Sequence, residues 1–131
     1  MSTLLSAGVA YAGPQGGSVV GGSNNATIST KGDNITVIDQ NRPNVIINWN
    51  TFNVGKNETV QFNQANSSYS VLNRVTGPYG PSWINGTISA IGSVFIVNRD
   101  GIIFGPHANI NTGNFLATTS DIRDHDFKNH N

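Results

Sequence analysis

The sequence predicts an all-β chain wound as a parallel β-solenoid, and three observations carry that reading. Ile and Val together number 24, whereas Leu, Met, Glu and Lys together number nine. β-Branched side chains lose rotamer freedom in helices and pack well on pleated surfaces. Short strand-like runs recur roughly every eight to twelve residues between clusters of turn formers. Finally, WINGTISAIGSVFIV (83–97) can be laid over GPHANINTGNFLAT (105–118), with Gly92 above Gly113 and Val94 above Phe115. The offset is 21 residues, and dropping one residue keeps Ile88 above Ile110. A period near 20 with strands and Gly at fixed places indicates a β-helical coil, and no such coil is stable alone.

Taken in order, residues 1–12 read as the end of a secretory signal. An apolar run from Leu4 precedes Ala10-Tyr11-Ala12, a small-x-small site that places cleavage after Ala12, although no Lys or Arg occurs before Lys31. Residues 13–26, GPQGGSVVGGSNNA, read as a loose Gly/Ser-rich leader. Strands are predicted at TIST (27–30), ITVID (35–39), NVIINW (44–49), TVQF (59–62) and YSVLNRV (69–75), with turns at 32–34 and 55–58. GPYGPS (77–82) carries two Gly-Pro steps that oppose regular pairing. The two aligned coils follow, and the chain ends in a polar tail, RDHDFKNHN, read as frayed.

Within SVFIVNRDGIIFG (93–105), Asp100-Gly101 between two apolar runs is the ordinary signature of a β-hairpin turn. The 21-residue offset argues instead for a corner within a coil, with Asn98 and Gly101 as turn makers.

The runs NWNTFNVGKNETVQFNQANSSYSVLNRVTG (48–77) and INGTISAIGSVFIVNRDGIIFGPHANINTGNFLATTSDI (84–122) together resemble the N-terminal secretion domain of two-partner-secretion exoproteins, the filamentous haemagglutinin family. The family's Asn-Pro-Asn-Gly-Ile motif stands here as Asn98-Arg99-Asp100-Gly101-Ile102. The resemblance implies a right-handed parallel β-helix with cap strands over 27–62 and first coils over 69–122, the front of a longer solenoid. It implies a secretion-targeting module recognised by the periplasmic domains of an Omp85-like outer-membrane transporter and exported to the cell surface or beyond. Adhesin, haemolysin and toxin passengers are all compatible with it, and any host receptors or glycans would be met through the passenger. Asn73, Arg74, Asn98, Asp100, Gly101 and Ile102 are the candidate transporter-recognition or fold-defining residues. Arg74, in an otherwise apolar strand, needs a carboxylate or several carbonyls as partners if it points inward. It either ties the cap to the first coil or faces the transporter.

Other chemistries find little footing. Formal net charge is zero and the seven Lys/Arg are scattered, which lacks the basic footprint of nucleic-acid or anionic-membrane binding. There is no Cys, and no stretch approaches the ~20 apolar residues of a membrane span. A β-helical polysaccharide-active enzyme would use Asp100 and Asp121, about one coil apart, but no general-acid partner is evident. Asp at a turn is ordinary. His107, His125 and His130 match no tetrahedral ligand spacing, so neither metal nor cofactor is expected. Five Asn-x-Ser/Thr sequons follow largely from the abundance of Asn, Ser and Thr. Trp49, Phe52 and Trp83 are read as core plugs in preference to a sugar-binding platform.

Overall fold

The computed structural model describes residues 13–128. The small-x-small segment ending at Ala12, and His130, lie outside them. Twelve strands and one short helix follow in chain order. They are β1 (Ser18–Val19), β2 (Ala26–Lys31), β3 (Ile35–Gln40), β4 (Asn44–Trp49), β5 (Thr59–Asn63) and β6 (Ser70–Val75). Then come β7 (Ser82–Ile84), β8 (Thr87–Ser89), β9 (Ser93–Val97), β10 (Ile102–Phe104), β11 (Asn109–Asn111), β12 (Asn114–Thr118) and α1 (Asp124–Lys128).

The strands stack into three faces of a parallel β-solenoid of about four turns. Face one has the order β12-β9-β6-β4-β1, face two β11-β8-β5-β3-β2, and face three β10-β7, extended by a bridge from Val54 to Ile84. Pairing within the stack is parallel; β1 on β4 and β2 on β3 are antiparallel and close its first turn. The segment 27–62 therefore contains both kinds of pairing, because β3 and β4 already lie in parallel register with β5 and β6.

The sequence alignment of the last two coils is the observed register: Val94 pairs with Phe115 and Ile88 with Ile110. The columns continue upward as Val45, Val71, Val94, Phe115 on face one and Thr36, Val60, Ile88, Ile110 on face two. Steps along the first column are 26, 23 and 21 residues. The corners absorb the extra residues, which is why only the last step shows as a repeat.

Alternation along each strand turns one row inward. Ile38, Val45, Ile47, Trp49, Phe52, Val60, Val71, Ile84, Ile88, Val94 and Ile96 form the buried interior. Each fully buried Val, Leu, Ile or Phe contributes roughly 1.5–3 kcal/mol relative to exposure. The opposite row of face one is also apolar. Ile46, Leu72 and Val97 are buried there with Phe127 of α1, and Val20, Phe95 and Ile122 pack against them. The rings of Phe95 and Phe127 meet edge-on at 5.5 Å.

Three expectations need correction. The 13–26 leader is not loose: Gln15 pairs with Thr51, β1 adds to face one, and Gly17 sits where a Cβ would strike Trp49 and Ile28. The polar tail is not frayed over its described part, since Phe127 has a buried apolar seat. Trp83 is 54% exposed, unlike Trp49 and Phe52. Its strand lies on the short third face, where its side chain takes the outward position between inward Ser82 and Ile84.

Candidate functional site

Asn73-Arg74 lies in the second half of β6, and Asn98–Ile102 forms the next corner along the same side of the solenoid. Asn73 is paired in register with Ile96, and Arg74 with Val97, the residue immediately before Asn98. Stacking of the two coils thus brings the two motifs together.

Asn73 points inward and is fully buried. Its Oδ1 accepts the Trp49 indole N–H at 3.0 Å, and its amide donates to the Phe95 carbonyl at 3.2 Å. A polar side chain in an apolar row survives because it satisfies a Trp that would otherwise bury an unpaired donor.

Arg74 takes the outer side. Its Nε lies 2.9 Å from Asp121 Oδ1 and its Nη2 2.7 Å from Asp124 Oδ1. It also donates to Asn48 Oδ1 and to the Ile122 carbonyl. Burial draws the guanidinium's pKa down, but the hydrogen bonds and charges of Asp121 and Asp124 outweigh it, so the pKa stands above its ordinary value. Arg74 therefore pins the 121–124 segment over β6 and reaches back to β4. The partners are carboxylates and a carbonyl, as its chemistry requires, but they come from the segment after the last coil.

The Asn98 corner is a turn between face one and face three, so the hairpin alternative does not apply. Asn98, 2% exposed, donates to the Gly80 carbonyl and to Ser82 Oγ, and its Oδ1 accepts the Asp100 N–H at 2.9 Å. The Gly101 N–H closes the turn on the Asn98 carbonyl. Gly101 has φ 110°, which L-residues rarely adopt. Ile102 then starts β10 and packs against the core. Arg99 and Asp100 project into solvent. Arg74, Arg99, Val97, Thr119 and Asp121 line a shallow groove of about 220 Å³ between the motifs.

Asp121 is engaged by Arg74, whereas Asp100 serves its own turn through the backbone. Among the described residues no three His, Asp or Glu side chains converge as a metal site would need. His107 uses its backbone N–H on Asn85 Oδ1.

Sequence reasoning missed the polar ladders at the other corners. Gln40 donates to the Ser70 carbonyl and accepts from Gln64, whose Oε1 in turn accepts the Gly92 N–H. Asn53 and Asn85 play the same part between coils, accepting the N–H groups of Trp83 and His107. The abundance of Asn is the signal in the sequence that fits these ladders.

A parallel solenoid whose polar residues cap corners and bridge coils defines the chain as a β-helical module. The chain belongs to the TPS secretion domain family, whose model matches residues 10–131. It is 41% identical over 109 residues to a heme/hemopexin-binding protein of Haemophilus influenzae, covering 83% of this chain and 12% of that protein. A second heme/hemopexin-binding protein of that species is 37% identical over 93 residues, 71% of this chain and 10% of the relative. The crystal structure of the HMW1 secretion domain from Haemophilus influenzae superposes with TM-score 0.79 at 42% identity, covering 88% of this chain and 30% of that one. The chain thus spans about one eighth of the length of the first curated relative. Membership implies a targeting module of an exported protein that crosses the outer membrane with a dedicated transporter partner.

Proposed function

We propose that the transporter is an Omp85-like barrel whose periplasmic domains read this solenoid as the address of a large exoprotein bound for the cell surface or the medium. The observation that carries the reading is the secretion-domain match over residues 10–131. The architecture suits the task. Contacts between neighbouring coils let the chain fold turn by turn as it emerges, and unpaired strands can first augment a partner's sheet edge. Recognition at the Asn73-Arg74 and Asn98–Ile102 corner divides by exposure: Asn73 and Asn98 hold the fold, while Arg99 and Asp100 are free to touch the transporter. The passenger is an adhesin, haemolysin, toxin or heme/hemopexin-binding protein, the last suggested by the relatives' names.

Co-expression with and without the cognate transporter, assaying release to the medium, tests the reading. Release is expected only with the transporter; release that ignores it overturns the proposal. An Arg99→Glu/Asp100→Lys pair is expected to reduce release while leaving the fold intact, and unchanged release removes this corner from the interface.

A second reading, direct glycan contact, rests on Trp83 and Tyr79, 54% and 68% exposed beside a groove of about 730 Å³. Binding of purified domain to a glycan array, lost on Trp83→Ala, is its expected signature; absence of binding rules against it.

A further inference from the structure

Gly13, the first described residue, is buried, and its backbone N–H donates to Glu58 Oε1 at 3.2 Å. The same carboxylate oxygen accepts the Gly55 N–H at 2.7 Å. Glu58 is the chain's single glutamate, half-buried at the end of the 55–58 turn. Beside Gly13 stands Thr36, 3% exposed, whose Oγ1 lies 2.8 Å from where a Gly13 Cβ would be. Among the described residues that hydroxyl has no hydrogen-bond partner. The Asn53 carbonyl lies 4.0 Å from the same point.

This cradle offers more than a peptide N–H can use. One amide proton is spent on Glu58, while a buried hydroxyl oxygen and a carbonyl line the same residue beside that negative charge. An α-ammonium has three N–H donors and a positive charge, and a buried charge needs both a counter-ion and hydrogen bonds. The sequence places the bond that would create this ammonium directly after Ala10-Tyr11-Ala12, the small-x-small site that follows the apolar run from Leu4.

We propose that the chain is cut between Ala12 and Gly13 and that Glu58 captures the freed α-ammonium of Gly13, locking the first turn of the exported solenoid. The cut is a hydrolysis catalysed by a leader peptidase. Water adds across the Ala12–Gly13 peptide bond, leaving a carboxylate on the leader and an ammonium on the domain. Glycine is demanded before and after. In the uncut chain Gly13 holds φ 67°, open to glycine; after the cut that dihedral is released, but a Cβ would still strike Thr36. The ion pair then exists only in processed protein, where it adds a charge-assisted contact to a first turn that the uncut chain already closes.

The inference deepens the export reading, and one preparation tests both because release and terminus are scored separately. The full exoprotein is produced with its native leader and transporter, then acetylated at neutral pH with an isotopically labelled anhydride, folded or in urea, and digested with a protease that cuts before Asp. The terminal peptide is expected to run from Gly13 to Gly32, and fragmentation separates the label on its α-amine from that on Lys31. An ion pair that raises the ammonium's pKa by about one unit lowers the reactive neutral amine about ten-fold. Labelling of Gly13 is therefore expected to be about ten-fold slower in folded than in unfolded protein. Exposed Lys56 serves as the internal control. Glu58→Gln is expected to remove most of the protection; if that variant is not released, the folded-against-unfolded comparison decides alone. A terminus elsewhere, or equal labelling in both states, overturns the proposal. A periplasmic product that starts at a protected Gly13 but ignores the transporter upholds it while defeating the export reading.

Discussion

Replacing Asn73 by Leu is the sharpest test of how the solenoid core tolerates polarity. The two side chains are similar in size, so the change leaves little cavity and isolates the hydrogen bonds. Two are lost: the one accepted from Trp49 Nε1 at 3.0 Å and the one donated to the Phe95 carbonyl at 3.2 Å. Trp49 is 1% exposed, so its indole N–H has no route to water. A buried donor left unpaired costs about 1–3 kcal/mol, and the second lost bond adds about 1 kcal/mol. Leu gains apolar burial in return, which offsets part of this, and a net loss of about 2–3 kcal/mol is expected. The assay is denaturant unfolding of the secretion domain, comparing wild type, Asn73→Leu, Trp49→Phe and the double variant. In the Trp49→Phe background no indole is orphaned, so Asn73→Leu should cost less than about 1 kcal/mol, a coupling of roughly 1–2 kcal/mol. Strict additivity of the two changes would falsify the assignment of Asn73 as the indole's partner.

Three further outcomes follow from the packing. Arg74→Met should release the 121–128 segment, seen as faster amide exchange and proteolysis there. Because Asp121 and Asp124 are exposed enough to rehydrate, the global loss should stay near 1 kcal/mol. Gly92→Ala should destabilise by about 1–3 kcal/mol, because its Cβ would lie 2.2 Å from the Tyr69 carbonyl oxygen and backbone must move. Gly22→Ala is a control for space, since nothing lies within 4 Å of that Cβ, and its φ of 90° makes its penalty purely conformational. The isolated 131-residue chain should self-associate through its last coil, where β10, β11 and β12 are outermost in their sheets and Ile103, Phe104 and Leu116 are exposed. Leu116→Lys should shift it toward monomer in analytical ultracentrifugation, and an unaltered monomer at all concentrations would show the edge to be inert.

Much of the candidate site was legible before the fold was known. The Asn98-Arg99-Asp100-Gly101-Ile102 run marked a turn by residue chemistry alone, and the 21-residue offset turned that hairpin signal into a coil corner. What the residues could not convey was which side chain of Asn73-Arg74 faces in. Alternation assigns them to opposite sides, yet both sides of β6 are apolar, so the pattern alone does not say which is the interior. Arg74's carboxylates lie 47 and 50 positions away, a separation that no local rule reaches.

Composition and spacing alone yielded the all-β class, the strands from residue 27 to 75 and the register of the last two coils, because these rest on rotamer preference, alternation and short-range spacing. The rest came from the stacking of the coils. The number of parallel turns was hidden by corners of unequal length, since steps of 26 and 23 residues break the repeat while preserving the column. The leader and the tail carry no local sign of order because what orders them is distant: Gly17 fits beneath Trp49, and Phe127 seats on Leu72 and Phe95. Such contacts form only after the coils have stacked, when face one presents an outer apolar row that no single strand could display.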